Sequence, residues 1–224
     1  MRPILANVCG CRYGLAAMST SSAPQRSIVV FDLGGVLIDW NPRHLYRKLF
    51  ADETAMETFL TTVCTQEWNE RQDAGRTFTE AAAVLCAQHP HHAELIEAFG
   101  VRFDEMMKGP IEGSVTILRT LHERGVPLYA LSNWSHETFP MAQRRFEFLK
   151  LFRGMVISGE VGVIKPDPRI FRILLERHRI EPGEAIYIDD NPRNAEAARA
   201  FGIHGIHFTD PAKLQRELED LRLL

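Results

Sequence analysis

The chain predicts an α/β fold, a doubly wound parallel sheet with an all-helical subdomain inserted after its first strand. Three observations predict it. Short apolar runs near 28–31, 127–131, 155–158, 185–188 and 204–208 are bounded by small or charged residues. Runs of this kind read as strands buried on both faces. Helix-patterned segments near 115–124, 137–146, 168–178, 192–201 and 211–222 alternate with them. Strands and helices in alternation imply parallel strands joined by crossovers. Finally, residues 43 to about 107 have helical patterning only.

The first strand segment is Ser27-Ile-Val-Val-Phe-Asp-Leu-Gly-Gly-Val-Leu37. Its apolar run stops at Asp32, which places a carboxylate at the mouth of the sheet, where open α/β folds bind ligands. Gly34 and Gly35 permit a tight turn and a close approach of backbone to ligand. The insert predicts helices near 44–50, 54–64, 78–88 and 92–107. Thr77 and Glu80 have the spacing of a capping box, and Asp73-Ala-Gly75 reads as a turn. Val115, Leu118 and Leu121 share one face of the next helix, and Gly125 lies past its end. The strand at 127–131 ends in Ser132 and Asn133. Lys165 precedes a helix beginning near Pro168. The strand at 185–188 ends in two adjacent acids, Asp189 and Asp190.

The chain has 224 residues, enough for one α/β domain with an insert. A net charge of −3 without a long basic run argues against a nucleic-acid partner. No apolar run approaches a membrane span, so no membrane association is expected. Residues 1–26 read as a disordered tail, or as sequence upstream of a start at Met18. Cys9 and Cys11 in that tail make a poor metal site alone. Cys64 and Cys86 lie in helix-like apolar contexts and read as buried thiols. Nothing suggests a disulfide framework, so a cytoplasmic location fits.

An acid, a hydroxyl with an amide, a lysine and two further acids suit a divalent cation beside a phosphate. Four segments carry them in order: Phe31-Asp-Leu-Gly-Gly-Val-Leu37, Leu131-Ser-Asn133, Lys165-Pro-Asp-Pro-Arg-Ile-Phe171 and Ile188-Asp-Asp-Asn191. In order, spacing and strand context they resemble the motifs of the haloacid dehalogenase (HAD) superfamily of hydrolases, from about residue 27 to 210. The resemblance implies a core of residues 27–40 and 108–224, with 41–107 as a helical cap closing over the site. It implies Asp32 as nucleophile. Mg2+ would be held by Asp32, the Gly34 carbonyl, Asp189 and Asp190, with Asp190 the more direct of the late pair. Asn194, a turn later, stands where family members often place a further metal-shell acid. Ser132, Asn133 and Lys165 would bind phosphate, and Lys165 would also be catalytic, neutralising the charges of nucleophile and phosphate together.

The implied function is a Mg2+-dependent phosphatase acting on a small phosphorylated metabolite, a sugar phosphate among the candidates, through an aspartyl-phosphate on Asp32. The protein is expected to be a monomer or homodimer. Two other readings stand beside it. A 2-haloacid dehalogenase also uses an Asp nucleophile, but needs no metal and typically lacks the adjacent acid pair. A non-catalytic phosphate-binding protein would keep the ligands without turnover.

Gly34 departs from the usual pattern. HAD phosphatases usually carry a second Asp there as general acid and base, help typically worth about 10²–10⁴-fold. Glucose-1-phosphatase-like members, which this chain resembles, also have Gly in that position. The vacancy favours acidic leaving groups such as anomeric phosphates. Asp39 and His136 are substitutes to be weighed against helix-capping or surface roles. Trp40 and Trp134 are candidates to stack on substrate or to fill the core; Trp68 is a weaker one. The cluster His89-Pro-His-His92 reads as a solvated turn.

Overall fold

The computed structural model describes residues 27–224. The readings for Cys9, Cys11, Met18 and the tail 1–26 therefore lie outside the described residues. Seven strands occur among those residues: β1 Ile28–Phe31, β2 Ile38–Trp40, β3 Met107–Pro110, β4 Leu128–Ser132, β5 Gly154–Ile157, β6 Ala185–Asp189 and β7 His204–His207. Five form one parallel sheet in the order β5-β4-β1-β6-β7, with β1 at its centre.

The sheet is buried on both faces, as its near-continuous apolar strands require. Alternate residues of β1 feed opposite cores. Val29 and Phe31 pack with Val115, Leu118 and Leu121 of helix Glu112–Glu123 and with Leu214 and Leu218 of helix Pro211–Asp220. Val30 packs on the other side with Ile170, Phe171 and Leu174 of helix Pro168–His178 and Ala198 of helix Pro192–Ala200. No helix among the described residues is long and apolar enough to cross a membrane.

Between β2 and β3 the chain forms helices Arg43–Tyr46, Glu53–Thr62, Gln66–Asp73, Phe78–Gln88 and Ala93–Val101. Side-chain oxygens of Asp52, Thr65 and Thr77 cap three of them, and Thr77 and Glu80 complete the capping box. Rings of Tyr46, Phe59, Trp68, Phe78 and Phe99 pack together between these helices.

Two features differ from the sequence expectation. Helix Gln66–Asp73 is absent from it, because Trp68 is its only apolar residue and gives no periodic stripe. The single helix expected over 92–107 is instead Ala93–Val101, a 3-10 turn at Phe103–Met106, and then β3. There β3 pairs antiparallel with β2, Asp39 opposite Gly109, so the insert joins the core through a two-stranded neck.

Candidate active site

The site lies at the C-terminal ends of β1, β4 and β6, three neighbours in the sheet. Asp32 follows β1, Ser132 closes β4 and Asp189 closes β6. A parallel sheet points all three ends the same way, so residues 100 and more apart in sequence meet at one edge.

Asp32 is 7% exposed and held by three donors. Its Oδ1 accepts from the Leu33 N–H at 2.7 Å and from the Ser132 hydroxyl at 2.7 Å. Its Oδ2 accepts from Lys165 Nζ at 2.8 Å. A carboxylate offers about four acceptor directions, so one at Oδ2 remains. Burial pushes the Asp32 carboxyl well above its ordinary value, and Asp189 and Asp190 push the same way against the pull of Lys165.

Lys165 is 3% exposed. Its three ammonium hydrogens are matched by Asp32 Oδ2 at 2.8 Å, Asp189 Oδ2 at 2.8 Å and the Leu131 carbonyl at 3.1 Å. Burial opposes its charge, but the two carboxylates outweigh burial and hold it above the ordinary lysine value. The expectation for this lysine is that it neutralises the nucleophile and phosphate charges together; its three donors are all engaged within the protein.

Asp189 is the most enclosed of the acids. Besides Lys165 it accepts from the Tyr187 hydroxyl, from the Asn191 N–H at 2.8 Å and from Asn194 Nδ2 at 3.1 Å. Burial opposes its ionisation, yet these donors, Lys165 foremost, hold it below the usual carboxylate range. Asp190 is exposed beside it, and burial of its carboxyl together with Asp189 shifts it upward. Gly35, at φ +73°, lies so close to Asp190 that a Cβ there would overlap its carboxylate.

These residues suit a Mg2+ ion. Asp32, Asp189 and Asp190 each present an oxygen, all within 4.8 Å of one another. Hard oxygen donors of this kind bind Mg2+, and a cation offsets the repulsion between them. Asn194 adds a second signal. Its Oδ1 is buried without a hydrogen-bond partner, and the residue is 4% exposed. Asp189 is already saturated by donors, which leaves Asp190 and Asp32 as the acids with free lone pairs.

A cavity of about 400 Å³ opens over these groups. Asp32, Gly34, Ser132, Asn133, Lys165, Asp190, Trp40 and Trp134 all line it, so the predicted site residues meet except Asp189, which sits behind it. Their side chains act differently from the sequence reading. The Ser132 hydroxyl is donated to Asp32. The Asn133 amide clasps the Lys165 backbone, accepting from its N–H at 2.7 Å and donating to its carbonyl at 3.1 Å. One of the two Asn133 amide hydrogens stays uncommitted. Trp134 is 3% exposed and donates its Nε1 hydrogen to Thr138 at 3.1 Å, so it is chiefly a wall residue. Trp40 packs on Phe103, and its buried Nε1 has no partner.

Trp68 is buried in the insert, Asp39 pairs with His44 at 2.9 Å, and His136 is exposed; none of the three lines the cavity. The His89–His92 stretch forms a surface turn. Cys64 is buried and Cys86 half-buried. Sequence reasoning missed Asn69 and Asp73, both in helix Gln66–Asp73, both buried and both facing the cavity.

Residues 27–202 match the haloacid dehalogenase-like hydrolases. The chain belongs to that family. Among its relatives, a sesquiterpene phosphatase of Aspergillus oryzae is 26% identical over 192 residues, covering 86% of this chain and 94% of the relative. A mouse acyl-CoA dehydrogenase family member 10 is 35% identical over 210 residues, but this chain spans only 19% of its length. A phosphoserine phosphatase of Thermus thermophilus is 33% identical over 137 residues, 58% of this chain and 52% of the relative. A HAD family enzyme of Bacteroides thetaiotaomicron, solved with magnesium and inorganic phosphate, shares the fold at TM-score 0.61 and 20% identity, covering 82% of this chain and 94% of that one. The site carries the four expected motif positions of that family, Asp32, Ser132, Lys165 and the Asp189–Asp190 pair, and departs at Gly34.

Proposed function

We propose that this HAD hydrolase is a Mg2+-dependent phosphoric monoester hydrolase acting on a small phosphorylated metabolite. The observation that carries the reading is Asp32, fixed by Ser132 and Lys165 with one acceptor direction free and Asp190 beside it. The relatives with named activities that support it include phosphatases.

In this reading Asp32 Oδ2 attacks phosphorus, forms an aspartyl-phosphate, and water then hydrolyses it. Ser132 and the Leu33 N–H hold Oδ1 and so aim the other oxygen. Lys165 stabilises the ionised form of Asp32 in a buried site and adds positive charge near the phosphoryl oxygens. Asp32, Asp190 and the Gly34 carbonyl would hold a Mg2+ ion, with Asn194 near, and the ion would supply further positive charge at the site. Gln66, Asn69, Glu70 and Arg193 give the wall polar groups beside Trp40, Phe103, Trp134, Ile164 and Pro166, a mixture that suits a hydroxylated metabolite such as a sugar phosphate. The free thiols Cys64 and Cys86 are in keeping with a reducing cytoplasm.

The test is release of inorganic phosphate from p-nitrophenyl phosphate and a metabolite panel, with Mg2+ and with EDTA. Turnover lost in EDTA and abolished by Asp32→Asn is expected. Full phosphate release in EDTA would remove Mg2+ from the reading, and release of halide from a 2-haloacid without phosphate release would transfer the site to the dehalogenase reading. Binding of vanadate without turnover of any ester would make the protein a binder.

A further inference from the structure

Gly34 leaves the leaving-group oxygen without a proton donor on β1. The glycine is not demanded by space. A Cβ there would meet nothing nearer than Trp40 Cβ at 3.9 Å, and its backbone is not in the left-handed region. A site with room for an acid, and none in that place, invites a search for one elsewhere on the cavity wall. Asp39 is tied to His44 away from the cavity, and His136 is exposed outside it. Glu70 lines the wall but is half-exposed, with Gln66 Nε2 at 3.2 Å.

We infer that Asp73, the last residue of helix Gln66–Asp73, is the general acid and base of this active site, supplied by the insert in place of a residue at position 34. The inference rests on the phosphatase reading above. Asp73 is 8% exposed, and it lines the same cavity as Asp32 and Gly34. It is anchored from both sides. Asn69 Nδ2 donates to its Oδ2 at 3.1 Å from within the helix. From the core, the Ser158 hydroxyl donates to its backbone carbonyl at 2.6 Å. Ser158 Oγ in turn accepts from the Trp134 N–H at 2.9 Å. An insert residue is thus pinned to the loop that follows Ser132.

Its protonation suits the task. Burial pushes the Asp73 carboxyl up to about 7, and Glu70 adds to this, while the Ser135 N–H and Lys165 pull it back. These are the charged groups that act on it from its own helix and from the core. An acid–base group near the operating pH is the effective kind.

The step balances. Asp32 Oδ2 forms a bond to phosphorus as the bond from phosphorus to the leaving oxygen breaks, and the Asp73 proton passes to that oxygen. In the second step the Asp73 carboxylate takes a proton from water as the water oxygen attacks phosphorus. The bond to Asp32 breaks, phosphate leaves, and both acids return to their starting states. This reverses the expectation drawn from Gly34 alone: alkyl esters become good substrates.

The test compares Asp73→Asn with wild type on p-nitrophenyl phosphate, whose leaving group needs little proton help, and on an alkyl phosphate, with Mg2+ present. Circular dichroism and Tm check the fold. In single turnover, which reads the first step alone, a loss of about 10²–10⁴-fold on the alkyl ester, with a loss below about 10-fold on the aryl ester, is expected. The wild-type single-turnover rate on the alkyl ester should fall above pH 7, and that limb should be missing for the aryl ester. Gly34→Asp in the Asp73→Asn background should recover alkyl turnover. Equal losses on both esters, or no loss on the alkyl one, would overturn the inference while the phosphatase reading stands. If Asp73→Asn does not fold, a wild-type alkyl profile flat from pH 5 to 9 overturns it. A wild type inert toward both esters would overturn the phosphatase reading and this inference with it.

Discussion

Asp189 and Asp190 are adjacent in sequence and opposite in surroundings. Asp189 is enclosed by Lys165, Tyr187, Asn191 and Asn194, whereas Asp190 faces the cavity. Substituting them should therefore give different defects. Asp190→Asn is expected to keep its Tm and to raise the Mg2+ needed for half-maximal activity by more than the 10–100-fold typical of outer-shell changes. Asp189→Asn leaves buried Lys165 with a single carboxylate, and losing one member of a buried ionic set costs about 3–5 kcal/mol. It should show first in urea unfolding. The presence of these acids was legible in the sequence, because each follows an apolar run that could only be a strand. The resemblance implied Asp190 ahead of Asp189 at the metal, but the physical reason for a division was not legible. It depends on which donors surround each oxygen, and Tyr187 and Asn194 reach Asp189 through the fold. The same holds for Asn133, whose amide serves the Lys165 backbone.

Helices announce themselves through an apolar stripe, and helix Gln66–Asp73 has none. That is why the element bearing Asp73 went unread while the capping box at Thr77 was plain. The neck was also hidden, since β2 and β3 are short and β3 contains Gly109 and Pro110, which weigh against a strand. Burying Asp73 has a cost in stability that fixes a sign. Its folded pKa, about 7, lies above the ordinary value of 3.8, so the folded state holds its proton longer than the unfolded state does. Stability therefore falls as pH rises from about 4 to 7. Asp73→Asn should match wild type in unfolding free energy below pH 4 and exceed it above pH 7, by at most roughly 4 kcal/mol, as read by urea unfolding. Ser158→Ala removes the hydroxyl that joins Asp73 to Trp134. A stability loss of about 1–3 kcal/mol is expected, measured by denaturant midpoint.

At the scale of the whole molecule the strand and helix alternation was readable throughout the core, because a sheet buried on both faces leaves uninterrupted Val and Ile runs. What alternation cannot convey is which insert residue reaches the mouth of the sheet. Metal binding should be visible globally, since three acids converge on one point. With Mg2+ at 100 times its Kd, mass action adds about 2.7 kcal/mol, or roughly 5–10 °C in Tm for a protein of this size, and Asp190→Asn should abolish the rise. One last consequence comes from the indoles. Phe103, in the turn leading to β3, packs on Trp40 and Trp134 at 6.1 and 5.9 Å between ring centroids, and both indoles border the cavity. Trp68 lies deeper in the insert under Arg76. The protein thus contains its own optical probe: emission from Trp40 and Trp134 should change in intensity when vanadate fills the cavity, and Trp68 alone, in a Trp40→Phe, Trp134→Phe protein, should remain silent.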